Sequence, residues 1–195
     1  MFYTSSGWWR PVKFHISSRH PLSRLFFGLA ERSLFERVGL CEPDIASYLG
    51  DLLVRFTHVD NVYRIRDARG KRLEDVGEML LESNPLIGGA SFDREREIRK
   101  HVGDYTLFFT GLFPESLKQR SRSIRLDHFV DYIQAGRESY YIVSQFNCGE
   151  YEKTALLFRK LSDLFDYCVV ALNFVKRDLE RLQHPHYRRI LSLLN

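Results

Sequence analysis

The sequence predicts an all-α fold: a single-domain helical bundle of about six helices, with one long C-terminal helix and an extended N-terminal arm. Three observations carry this expectation. Apolar residues recur at three- and four-residue steps through most of the 195 residues, and a strict seven-residue repeat runs near the C-terminus. The composition, 44% hydrophobic and 28% charged, is that of a globular chain and far from the signature of disorder. A domain of this length buries roughly 70% of its unfolded surface and needs no metal or disulfide to fold. One unit over 1–195 is expected, divided into an arm (1–20), N-terminal helices (21–83) and C-terminal helices (91–195).

The repeat lies in 147–183. Tyr151, Phe158, Phe165, Leu172 and Leu179 recur every seven residues, and Leu161, Cys168, Val175 and Leu182 follow three positions on, with Thr154 as the one interruption. Leu157, Leu164 and Ala171 widen the seam to the stripe of a core-facing bundle helix. Asn147 followed by Glu150 reads as a capping box. Lys176, Arg177 and Arg181 suit the negative pole of the helix, and Pro185 forbids simple continuation. An uninterrupted helix of this length would run about 50 Å.

Upstream, Leu126, Phe129, Val130, Ile133, Tyr140 and Val143 place an antiparallel neighbour over 127–146, with Gly136 marking a close helix crossing. Ile98, Val102, Tyr105, Phe108 and Leu112 define a helix over 93–111 that Pro114 ends. In the first half, 21–38 and 43–56 carry helical stripes. So does 60–83, through Val62, Ile65, Leu73, Val76 and Leu80, although Gly70 inside it costs about 1 kcal/mol relative to alanine and marks a candidate break. Asn84 to Ala90 is the clearest loop. The aromatic opening segment, with Trp8, Trp9 and Phe14, reads as an arm or short strand across the bundle.

Three widely spaced cysteines, Cys41, Cys148 and Cys168, form no metal or redox motif and fit a reducing compartment. With no signal-peptide core and no run of about 18 apolar residues, the expected setting is the cytoplasm, without a membrane span. A net charge of +4 decides little about partners.

The candidate chemistry centres on His101, with Asp104 nearly one turn on and Glu97 one turn before. Together with Tyr105, and with Glu138 and Tyr140 from the facing helix, these residues are the candidates for a ligand or metal site, the version of the fold that would make it a metal or haem enzyme. No histidine has a glutamate three residues before it, so the di-iron bundle pattern is missing. Cys148, at the start of the C-terminal helix, has a position that can lower a thiol pKa but no local base signature beside it. Two basic clusters, Arg64, Arg66, Arg69, Lys71 and Arg72, then Lys118, Arg120, Arg122 and Arg125, suit phosphates if they share a face, with nucleic acid a less favoured partner. No P-loop, dinucleotide fingerprint or serine elbow is present.

The cofactor is unknown from sequence. The expectation that follows is a non-catalytic domain binding a protein partner or a small apolar ligand, with a homodimer compatible with the pattern. Far-UV circular dichroism of the purified chain should be dominated by helix; a sheet-dominated spectrum contradicts the seven-residue reading.

Overall fold

Twelve consecutive residues, His101 through Leu112, are all buried, and the rest of the fold is arranged around the helix that contains them. The computed structural model describes residues 20–67, 69–84, 91–120 and 127–182, and the side chains of 118–120 and 127–131 are outside that description. The N-terminal arm therefore lies outside the described residues, apart from His20. Nine α-helices occur among them, and no strand. They are α1 (Pro21–Arg32), α2 (Pro43–Arg55), α3 (Val59–Val62), α4 (Val76–Ser83), α5 (Phe92–Leu112), α6 (Pro114–Arg120), α7 (Asp127–Gln145), α8 (Glu152–Asp163) and α9 (Phe165–Arg181).

Local chemistry explains most of the boundaries. His20 accepts the Leu22 amide through Nδ1 ahead of Pro21, while Ser91 and Asp75 accept amides at the starts of α5 and α4. α1 runs into a π-helical segment, Ser33–Val38, which Gly39 closes at φ 78°.

α5 is central because it is apolar nearly all round after its charged first turns, and a helix of that kind must be covered on every side. α7, α9 and α4 cover it, α1 lies on α2, and α8 returns along α7. The buried apolar side chains of the N-terminal and C-terminal helices form one cluster. Phe108 and Phe109 are both buried, whereas Tyr140 and Phe26 turn inward and their neighbours Tyr141 and Phe27 lie toward the edge.

Close approach depends on glycine. A Cβ at Gly136 of α7 would stand 2.3 Å from Thr106 Oγ1 and 2.4 Å from Phe165 Cζ, so the expected close crossing joins three helices at one point. Gly103 of α5 receives the Tyr140 ring in the same way, 2.5 Å from where its Cβ would be.

Four expectations need correction. The C-terminal stripe is buried as its repeat requires, with Phe158, Phe165 and Leu172 all inside, but it is carried by two helices that break at Leu164. A straight α-helix drifts about 20° per heptad from a seven-residue repeat. The break interrupts that drift, and it comes where Ser162 Oγ donates to the Arg137 carbonyl (2.9 Å) and Phe165 enters the core beside Gly136. The Asn147–Glu150 capping box does not form: a 3-10 turn, Gly149–Tyr151, intervenes without a side-chain cap, and α8 begins at Glu152. Leu182, at the end of the repeat, is exposed.

The continuous helix expected over 60–83 is instead α3, a tight turn and α4. Gly70 takes φ 83°, and the Asp67 carboxylate accepts the amides of Arg69 and Lys71, each at 2.9 Å, a local bonding pattern that competes with helix. Val62, Ile65, Leu73 and Val76 are buried all the same, because the burial their spacing encodes does not require a continuous helix.

Gly136→Ala should destabilise the fold by about 1–3 kcal/mol through overpacking. Gly28→Ala, at a mid-helix site in α1 with nothing within 4 Å, should stabilise it by about 0.5–1 kcal/mol. Thermal melting of the two variants should therefore shift in opposite directions.

Candidate functional site

Asp104 is the one charged residue between Lys100 and Glu115, and its carboxylate is buried where α2, α5 and α7 meet. An ionised carboxylate taken out of water is tolerated only when paired and hydrogen-bonded. Both oxygens are filled. Oδ1 accepts the Tyr48 and Tyr140 hydroxyls, the latter at 2.8 Å, and Oδ2 accepts Arg55 Nη1 at 2.9 Å and Lys100 Nζ at 2.8 Å. Lys100 and Asp104 are one turn apart on α5, Tyr48 and Arg55 are two turns apart on α2, and Tyr140 comes from α7.

Aromatic rings enclose the group. Tyr48 meets Phe158 edge-on at 5.7 Å between centroids, and Phe158 stands 5.7 Å from Tyr140. Arg55 and Lys100 also sit over the Tyr48 ring, at 5.8 and 5.3 Å. Burial alone would raise the Asp104 pKa, but Lys100, then Arg55, hold it well below the usual carboxylate range. Burial, reinforced by the adjacent carboxylate, pushes both Tyr48 and Tyr140 well above the ordinary phenol value. Burial also pulls Lys100 below the ordinary lysine value, with Asp104 opposing; about a quarter of its side chain stays exposed, which moderates that pull. A carboxylate with both oxygens occupied and two phenols that keep their protons suit orientation better than proton transfer.

The residues singled out from sequence separate into three places. Asp104 and Tyr140 meet in this cluster. His101 and Tyr105 turn toward the α3–α4 side, where His101 Nε2 donates to the Val62 carbonyl at 3.1 Å and the Tyr105 hydroxyl donates to the Glu74 carbonyl at 3.1 Å. Burial, then Arg64, holds the His101 pKa well below its ordinary value, so the ring is neutral. Glu138 is exposed on α7 and accepts from Gln134, one turn away on the same helix. Glu97 is engaged by Arg94 at 3.2 Å and by Arg64 at 3.8 Å. Among the described residues no three His, Cys, Asp or Glu side chains gather as a metal-binding group.

Tyr48, Arg55 and Lys100 are the members that sequence reasoning missed. The signal was a lone acid inside a helical stretch otherwise free of charge, with a lysine one turn before it. That spacing is also the commonest surface ion pair, and only the neighbouring apolar run distinguished it.

The first basic cluster is largely paired: Arg72 with Asp60 at 2.7 Å and Lys71 with Glu78 at 3.5 Å. Of the second, Lys118 and Arg120 belong to α6 with side chains outside the description, and Arg122 and Arg125 lie outside the described residues. No helix among the described residues is long and apolar enough to cross a membrane. Cys148 is exposed, as is Cys41, and Cys168 is buried. No protein-family model, curated protein or solved structure matches this chain.

A second feature lies on the outer face of α9. Tyr167 (54% exposed) and Val170 (46%) precede half-buried Phe174, and exposed Arg177 and Arg181 continue the line at the same alternating steps of three and four residues. This outward stripe is opposite the core seam of Cys168, Leu172, Val175 and Leu179. At its C-terminal half an open depression is lined by Arg37, Phe174, Arg177, Asp178, Glu180 and Arg181. The π-helical segment presents Arg37, which binds Asp178 at 2.9 Å and lies 5.2 Å over the Phe174 ring, with Arg177 at 5.5 Å from the same ring.

Asp104→Asn should cost about 3 kcal/mol, the low end of the range for breaking a buried pair, because Arg55 and Lys100 retain some water. Stability should fall with acid in two steps. His101 has a depressed folded pKa, so the unfolded chain takes up its proton first below about pH 6.5; Asp104 adds a loss below about pH 4. Melting curves against pH should lose the upper step in His101→Gln and the lower one in Asp104→Asn. Native thiol titration should modify Cys41 and Cys148 only, with Cys168 reacting on unfolding.

Proposed function

We propose that this chain is a non-catalytic helical domain of the cytoplasm that docks a protein partner along the outer face of α9. The observation that carries the reading is the stripe of Tyr167, Val170 and Phe174, flanked by Arg37, Arg177 and Arg181. Tyrosine and arginine around apolar anchors are the chemistry enriched where protein interfaces concentrate their energy. The apolar side chains recur at the i, i+3, i+7 spacing by which one helix receives another.

The Asp104 carboxylate favours a scaffold over an active site, since both of its oxygens are occupied by the fold itself, with Arg55 Nη2 the one buried donor beside it, among the described residues, that has no partner. Of the two binding modes expected from sequence, a protein partner is favoured over a small apolar ligand because the unpaired apolar groups of α9 project outward along a helix and do not line an enclosed chamber.

A photo-crosslinking amino acid in place of Tyr167 should form a discrete adduct with a protein in the native cell, and the same group at Glu82 on α4 should not. The protein identified, once purified, should bind the unmodified chain, and Val170→Asp should weaken that binding at least tenfold, about 1.4 kcal/mol. No discrete adduct at position 167, or binding indifferent to Val170→Asp, contradicts the proposal.

A further inference from the structure

α3 is a single turn of helix, four residues from Val59 to Val62, and it covers the His101 ring. One turn has no cooperative stability of its own, so α3 keeps its place through what it packs on. Its anchors include the buried side chains of Val62 and Tyr63, with the Tyr63 ring 6.2 Å from that of Tyr105. They also include two hydrogen bonds: Asn61 donates to the Arg55 carbonyl at 2.7 Å, and the Val62 carbonyl accepts from His101 Nε2. Of these anchors only the imidazole can gain a proton in mildly acidic solution.

His101 is buried, with the Phe56 ring at the end of α2 6.0 Å away and the Tyr105 ring at 6.1 Å. The charged groups that face it are Arg64, from the segment that follows α3, and Lys100 and Asp104 from α5. Two of the three are cations. Each Asp104 oxygen already accepts two donors, so a second proton on the ring meets repulsion that the acid only partly offsets. The proton is accommodated once the ring reaches water. Around the ring, α2 and α5 are 13 and 21 residues long and carry much of the core, whereas α3 is one turn, so α3 is the element that yields.

We infer that α3 is an acid-released flap, which swings off α5 when His101 takes up a second proton while α5, α7 and α9 stay packed. The direction follows from proton linkage. In the closed state burial, then Arg64, holds the imidazole pKa well below its ordinary value, whereas a wetted ring titrates near 6.5. Closure is therefore favoured above that pH and weakens as the pH falls through it, and the ratio of open to closed flap should rise about 25-fold from pH 7 to pH 5.

Amide hydrogen exchange followed by NMR, corrected for its intrinsic pH dependence, tests the flap. The Tyr63 amide, bonded to the Val59 carbonyl at 3.0 Å, reports on α3. At pH 5 it should exchange at least about tenfold faster than the core amides of α7 and α9, and by a route nearly independent of urea, because a local opening exposes little surface. Its opening equilibrium should show the rise expected between the two pH values. His101→Gln, which retains a donor for the Val62 carbonyl, should leave the opening flat with pH. His58→Gln, at the residue before α3, should keep the rise. If His101→Gln misfolds by circular dichroism, the urea dependence in the wild-type chain decides. A Tyr63 amide that exchanges only with global unfolding, at the rate of the α9 amides, overturns the inference. So does a rise that persists in His101→Gln or disappears in His58→Gln.

Discussion

A carboxylate buried away from solvent has to be surrounded by donors, and the four around Asp104 come from three different helices. Each donor is useful only if its helix stands at the right height and rotation, so the single acid constrains the mutual placement of α2, α5 and α7. Apolar packing alone is tolerant, because many registers bury similar area. A buried charge is intolerant, because any register that leaves it unpaired carries a penalty of several kcal/mol. The aromatic enclosure of Tyr48, Tyr140 and Phe158 raises the stakes by keeping water away.

The glycines make that geometry accessible. Tyr140 can bring its hydroxyl to Asp104 only because Gly103, one residue earlier on α5, leaves room for its ring. Gly136, one turn before Tyr140 on α7, accepts Thr106 and Phe165 in the same spirit. The polar clip and the close backbone approach are therefore two sides of one arrangement: the hydrogen bonds select the register and the missing side chains permit the distance. The outer face of α9 is free of these demands. Its core side is committed to Cys168, Leu172, Val175 and Leu179, so the side facing away can carry an interaction surface without disturbing the bundle.

Much of the fold was legible from residue spacing. The stripes over 93–111 and 127–146 became α5 and α7 almost end to end, and Gly136 is the close crossing its position suggested. Less of the site was legible. Asp104 and Tyr140 were singled out and do meet, but His101, Tyr105 and Glu138 go elsewhere, and Tyr48, Arg55 and Lys100 were overlooked. Spacing along one helix tells which residues share its face; it carries no information about which face of which other helix arrives there. Arg55 and Asp104 are 49 residues apart in the chain.

What the sequence determined by itself was helix and burial: a seven-residue repeat and three-and-four spacing bury the same side chains in any bundle, because periodicity is a property of the local backbone. It did not determine continuity. The break at Leu164, the turn at Gly70 and the failed cap at Asn147 depend on contacts from distant segments or on local side-chain bonds that compete with the helix. The choice among donors for Asp104, and the exposure of Tyr167 and Val170, were likewise decided by tertiary packing, because a charge finds its partners and an apolar group finds cover only once the helices have taken their places.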